Sequence, residues 1–185
     1  MINKQDMAQD VESILFTEEQ IAERVKEVGK VLTRDYQGKN LILLGILRGA
    51  VPFYAAMAQR IALPVVEDFM TVSSYGNGTT SSGHLLIKQD MQEDVKGRDV
   101  LILEDILDTG NTLKMVKELL YERGANSVKI CALLDKKEGR KVRIEADYYC
   151  FRVPNAFLVG YGLDYAGYYR NLPFVGILRP SVYKY

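Results

Sequence analysis

The run VLILEDILDTGNTL, residues 100–113, constrains this chain more than any other stretch. It opens with four apolar residues in a row, the pattern of a strand covered on both faces, and such strands belong to parallel sheets with helices above and below. Glu104 and Asp105 end the apolar run, Asp108 follows, and Thr109, Gly110, Asn111 and Thr112 lead into LKMVKELLYERG. There Leu113, Val116, Leu119 and Leu120 make a helical stripe and Gly124 offers a C-cap.

The same grammar appears at LILLG (41–45), followed by ILRGAVPFYAAMAQRI, whose small and apolar residues suit a buried helix after a tight loop. It recurs more weakly at VKICALLD (128–135), YYCF (148–151), AFLVGYG (156–162) and FVGIL (174–178). Upstream, TEEQ (17–20) is a capping-box pattern, and Ile21, Val25, Val28 and Leu32 then recur at helical spacing, which predicts an amphipathic cover helix with a packing role only. Strands alternating with helices predict an α/β fold with a parallel sheet covered on both faces. Ligands in such folds sit beyond the carboxyl ends of the strands, where the winding reverses. Chemistry-bearing residues do follow the strands, at Arg48 and Gly49, at 104–112, at 135–137 and at 160–164.

Composition narrows the function classes. A chain of 185 residues, 48% hydrophobic, is one ordinary domain. Lys+Arg and Asp+Glu both number 24, so no global basic field draws in a nucleic acid, and any phosphate site must be local. The first residues lack the pattern of a secretory signal, and no apolar run is long enough to cross a bilayer, so a cytoplasmic protein without a membrane partner is expected. Cys131 and Cys150 lie in apolar runs and read as buried, unpaired thiols. No GxxxxGK[ST], completed GxGxxG, HExxH or GxSxG occurs, which leaves P-loop, dehydrogenase, zinc-peptidase and serine-hydrolase readings without an anchor. Residues 73–83, SSYGNGTTSSG, are too rich in Gly and Ser for a packed element and read as a mobile loop, with a substrate-closing lid as the functional alternative.

At the end of the 100–105 strand, a helix start with free N–H groups, a glycine and two threonine hydroxyls makes a site for a phosphate. Acids beside it would repel that ligand unless they bind ribose hydroxyls or hold a divalent cation. Asp108 and Thr109 also suit a helix cap, but a cap asks for one such residue and leaves Glu104 and Asp105 without a reason.

VLILEDILDTGNTL resembles the phosphoribosyl-pyrophosphate (PRPP) signature of type I phosphoribosyltransferases. LRGAVPF, SSYGN, LLDKKEGR and LVGYGLDYAGYYRNLP, in that order, resemble the hypoxanthine-guanine branch. The resemblance implies a Rossmann-like sheet within a single domain, its core at about 38–150 and a small hood over the base from about 1–16 and 151–185. It implies transfer of the phosphoribosyl group of PRPP to hypoxanthine or guanine with magnesium, by a homodimer or homotetramer. Glu104 and Asp105 would address the ribose hydroxyls and a magnesium ion, Asp108 would be the general base near purine N7, and residues 108–112 would hold the 5'-phosphate. Leu47, Arg48, Gly49 and Arg170 would bind pyrophosphate, and Ser74 and Tyr75 would belong to the closing loop. Lys136 would donate to the 6-oxo group, Phe157 stack on the base, the Leu158 carbonyl accept from its edge, and Asp164 bind a second magnesium.

From the residues alone, Lys136 reads as part of a solvated pair with Lys137, Phe157 as core and Arg170 as a surface charge; the resemblance reverses those readings. Asn111 stands where many members have Lys or Arg, which shifts phosphate binding toward backbone N–H groups, and Arg48 stands where many have Lys. A PRPP-sensing regulator that binds RNA or DNA, and a transferase preferring xanthine or a pyrimidine, are the alternatives; the balanced charge disfavours the first.

Overall fold

The computed structural model describes residues 4–74 and 85–183. In chain order the elements are α1 (Lys4–Gln9), β1 (Val11–Phe16), α2 (Glu18–Asp35), β2 (Leu41–Leu47), α3 (Val51–Ala58), β3 (Val66–Ser74), β4 (Leu85–Gln89), β5 (Asp99–Leu107), α4 (Asn111–Glu122), β6 (Ser127–Asp135), β7 (Tyr148–Arg152), β8 (Leu158–Val159), β9 (Val175–Leu178) and α5 (Pro180–Tyr183). A 3-10 turn, Lys137–Gly139, follows β6.

The main sheet has the order β4-β3-β2-β5-β6-β7, parallel except for β4, which pairs antiparallel with β3 at the edge. Side chains alternate across it as the pleat demands. Leu41 and Leu43 of β2, Leu101 and Leu103 of β5, and Cys131 and Leu133 of β6 pack with α2 and α3. Ile42, Leu44, Val100, Ile102, Ile130 and Ala132 face the other way, against Leu113, Val116 and Leu120 of α4. Each central strand is therefore buried on both faces, which is why these segments are unbroken apolar runs. The cover-helix expectation holds: α2 buries Ile21, Val25, Val28 and Leu32, and Thr17 caps it in a complete capping box with Gln20.

AFLVGYG and FVGIL depart from the pattern reading. They fold as β8 and β9, which pair antiparallel in a separate sheet ordered β1-β9-β8. A parallel connection needs a crossover of about a dozen residues, usually helical, and no helix separates β7 from β8 or β8 from β9. The pattern also overlooked β1, β3 and β4. Residues 75–84 lie outside the described residues, and with them Tyr75 and nearly all of the lid reading.

The chain leaves β2 through α3 to β3 on one side, then returns to place β5 on the other side of β2. The winding reverses between β2 and β5, and their carboxyl ends open a crevice at that point.

Candidate active site

A cavity of about 230 Å³ lies in that crevice, lined by Leu47 at the end of β2, by Gly49 just after it and by Glu104, Asp108, Thr109 and Thr112 around the end of β5, among others. Glu104 and Asp105 do not end their strand. β5 runs on to Leu107, held by pairing of Ile106 with Leu134 and Leu107 with Asp135. The pleat then sends Glu104 to the α4 side with Ile102, and Asp105 to the α3 side, against Gly49. Burial drives the Glu104 carboxyl well above the usual carboxylate range and the Asp105 charge adds to the effect; one of its oxygens, Oε2, is sealed and has no hydrogen-bond partner. Burial also raises Asp105, against the opposing pull of Glu104, the Ile106 N–H and Arg170. Hard carboxylate oxygens, one unpartnered, are the donors that magnesium accepts, so this pair fits the implied ion.

The loop after β5 enters α4 through Gly110, whose φ of +82° is left-handed and whose missing Cβ leaves room for the Ile144 and Arg140 side chains. Gly110 is the N-cap, and no side chain caps the helix. The capping reading of Asp108 and Thr109 therefore fails, and the N–H groups of the first turn of α4 stay available to a ligand. Asp108 turns instead toward Lys136 at the end of β6, with Nζ to Oδ2 at 3.2 Å. That lysine side chain is 13% exposed, so it is no solvated pair with Lys137, which sits 48% exposed against Glu145.

On the other wall, the Leu47–Arg48 peptide is cis and Arg48 is exposed. The backbone at Gly162 comes up against the Gly49 carbonyl. Arg170 donates to the Gly162 carbonyl at 2.6 Å and pairs with Asp164 at 2.6 Å, which makes it a partnered residue rather than a free surface charge. Phe157 is 36% exposed and not core; Tyr183 stacks on it at 4.8 Å and Tyr165 meets it edge-on at 5.5 Å. Leu158 is buried in β8 beside it. Ser74 ends β3, paired in register with Leu85. The geometry thus gathers the predicted residues into three groups: Glu104, Asp108, Thr109, Gly110 and Thr112 at the cavity; Lys136 with Asp108; and Asp105 with Gly49, Arg170 and Asp164. Among the described residues no cluster of three or more His, Cys, Asp or Glu could hold a metal by itself.

The model of the phosphoribosyl transferase domain matches residues 12–166. The hypoxanthine-guanine phosphoribosyltransferase of Streptococcus pneumoniae is 54% identical over 175 residues, covering 95% of this chain and 97% of that one. That of Lactococcus lactis is 57% identical over 174 residues, covering 94% of each. The chain belongs to the hypoxanthine-guanine phosphoribosyltransferases. A solved hypoxanthine phosphoribosyltransferase from Staphylococcus aureus superposes on this transferase with a TM-score of 0.95 at 48% identity, each chain covered in full. One from Trypanosoma cruzi does so with a TM-score of 0.90 at 43% identity, covering 95% of this chain and 99% of that one.

Reading the sequence overlooked two positions in this transferase. Arg140 donates to the carbonyls of Leu107 and Asp108 and pairs with buried Asp135, and Gly139 lies directly against the Asp108 carboxyl. The one signal available was a charged residue, Asp135, closing an otherwise apolar strand.

Proposed function

We propose that this transferase moves the phosphoribosyl group of PRPP to N9 of hypoxanthine or guanine, giving IMP or GMP and pyrophosphate in purine salvage. The observation that carries this is the Asp108–Lys136 pair at 3.2 Å beside the phosphate loop. A 6-oxopurine presents N7 and O6 side by side, and an acceptor next to a donor is the matching edge. As purine N9 bonds to the anomeric carbon and the bond to pyrophosphate breaks, Asp108 takes the N7 proton. Lys136 donates to O6; the amino group of adenine would set N–H donors against an ammonium and leave both unpaired. Phe157 supports the face of the base, and the Leu158 carbonyl accepts from its edge.

The 5'-phosphate lies on the N–H groups and hydroxyls of 108–112 at the start of α4, where the helix dipole favours an anion. Glu104 and Asp105 bind the ribose hydroxyls; they would hold one magnesium ion and Asp164 a second. Magnesium would supply charge neutralisation on the departing pyrophosphate. Arg170 and the backbone at 47–49 hold that leaving group, and Arg170 exchanges its Asp164 partner for it. The small β1-β9-β8 sheet, with α1 and α5, forms a hood over the base. Two buried free thiols suit a reducing cytoplasm, and no helix among the described residues is long and apolar enough to cross a membrane. A homodimer or homotetramer is the expected assembly. Incubation with PRPP, magnesium and each of hypoxanthine, guanine, xanthine and adenine in turn tests the reading: IMP and GMP should form, and adenine should stay unconverted. Conversion of adenine at a comparable rate, or no nucleotide at all, overturns it.

A further inference from the structure

The turn after β6 holds the phosphate loop by its carbonyls. Arg140 Nη1 donates to the Leu107 carbonyl at 2.5 Å and to the Asp108 carbonyl at 2.6 Å, while Nη2 pairs with Asp135. The arginine side chain is 11% exposed and Asp135 2%. Two backbone bonds flank this grip, Lys136 N–H to the Leu107 carbonyl at 3.1 Å and Lys141 N–H to the Thr109 carbonyl at 2.9 Å. A trans peptide is planar, so the carbonyl of one residue and the N–H of the next point in opposite directions. Pinning the carbonyls of Leu107 and Asp108 on the Arg140 side therefore fixes the N–H groups of Asp108 and Thr109 on the other. Asp108, Thr109 and Gly110 line the cavity.

We propose that Arg140 is a positioning residue: buried and anchored by Asp135, it aims the N–H donors of Asp108 and Thr109 at the 5'-phosphate without touching substrate. The proposal rests on the phosphate-loop assignment above and names the residue that gives that loop its shape. Guanidinium geometry matters here. Its planar fork serves two carbonyls and a carboxylate at once, whereas a lysine ammonium is a single point that cannot span them.

Arg140→Met alone leaves the buried Asp135 charge with only Arg152, whose Nε lies 4.0 Å away on a largely exposed side chain, and is expected to lower stability. Arg140→Met/Asp135→Asn removes the charge with its partner and keeps side-chain volume, so its melting temperature should return close to that of the wild type. In both, the Asp108 carbonyl is released and the Leu107 carbonyl keeps only the Lys136 N–H. Equilibrium binding of IMP and of inosine, which lacks the phosphate, is measured by calorimetry without metal. The wild type should prefer IMP strongly, and the double variant should bind IMP roughly 10- to 100-fold more weakly with inosine little changed, the range seen when an orienting partner is removed. Hydrogen exchange at the Asp108 and Thr109 amides should rise in parallel. A double variant that recovers its melting temperature and keeps the full preference for IMP overturns the Arg140 proposal. A wild type that binds IMP no better than inosine overturns the phosphate-loop assignment itself.

Discussion

Gly139→Ala tests where the Asp108 carboxyl must sit without altering its chemistry. Gly139 closes the 3-10 turn after β6, its N–H bonded to the Lys136 carbonyl at 3.2 Å, and its φ is not left-handed, so the backbone accepts alanine. A Cβ there would overlap Asp108 Oδ1 and lie 3.0 Å from Cγ. The carboxyl must withdraw by something on the order of 1–2 Å to reach ordinary contact distance. With its side chain 39% exposed it has room to do so, leaving Lys136 behind. A misplacement of about 1 Å at a reacting group costs on the order of 100-fold in rate. The stability change should be small. Restricting the unfolded chain contributes about 0.4–1 kcal/mol, against an overpacking cost of about 1–3 kcal/mol that the exposed carboxyl relieves in part. The net loss is then at most about 2 kcal/mol, a shift of roughly 2–4 °C per kcal/mol for a chain of this size.

The assay is IMP formation at saturating PRPP and hypoxanthine beside a thermal melt. The expected result is a kcat lower by about two orders of magnitude with an intact fold. Because the effect is routed through one carboxyl, Gly139→Ala should cost almost nothing further in an Asp108→Asn background. A kcat within about threefold of wild type, or full additivity with Asp108→Asn, refutes the placement of Asp108 at the reacting edge.

Asp108→Asn itself should lower kcat by about 10²–10⁴-fold, the usual worth of a general base, with the KM for PRPP nearly unchanged in steady-state kinetics. Lys136→Gln should erode the preference for hypoxanthine over adenine by roughly ten- to a hundredfold in competing-substrate rates, since an amide can serve either group at C6. Thr17→Ala removes the side-chain cap of α2 and should cost about 1 kcal/mol, a melting shift of roughly 2–4 °C by circular dichroism. Burial pushes the Cys150 thiol up to about 12 and raises Cys131 in the same direction. A raised thiol contributes its stability in full below the unfolded value near 8.5 and loses it as pH climbs toward the folded one. Melting temperature should therefore fall across that alkaline window, and iodoacetamide at mildly alkaline pH should label both thiols only after denaturation.

Much of the site was legible because its chemistry lies close in sequence to strands that are themselves unmistakable. The first half of β5 is buried on both faces, so residues 100–103 show an unbroken apolar run, and the Gly and Thr residues at 109–112 read as loop and helix start. The parts that escaped notice depend on contacts made at a distance. β3 carries Glu67 and Asp68 near its start, which reads as surface; yet Asp68 accepts the N–H groups of Gln92 and Glu93, bonds set by a segment more than twenty residues on. The end of β5 was misjudged for a related reason, because two acids look like an exit until the pairing with β6 carries the strand past them to Leu107. Asp108 shows the limit most clearly. As a sequence element it is a good helix cap, and a capping carboxylate would spend its oxygens on the first N–H groups of α4. In the fold Gly110 takes the cap position with no side-chain bond, and the carboxylate meets Lys136, 28 residues away. In the proposed function those N–H groups and that carboxylate go to two different ligand groups, a phosphate and a purine edge, a separation of roles that no local pattern specifies.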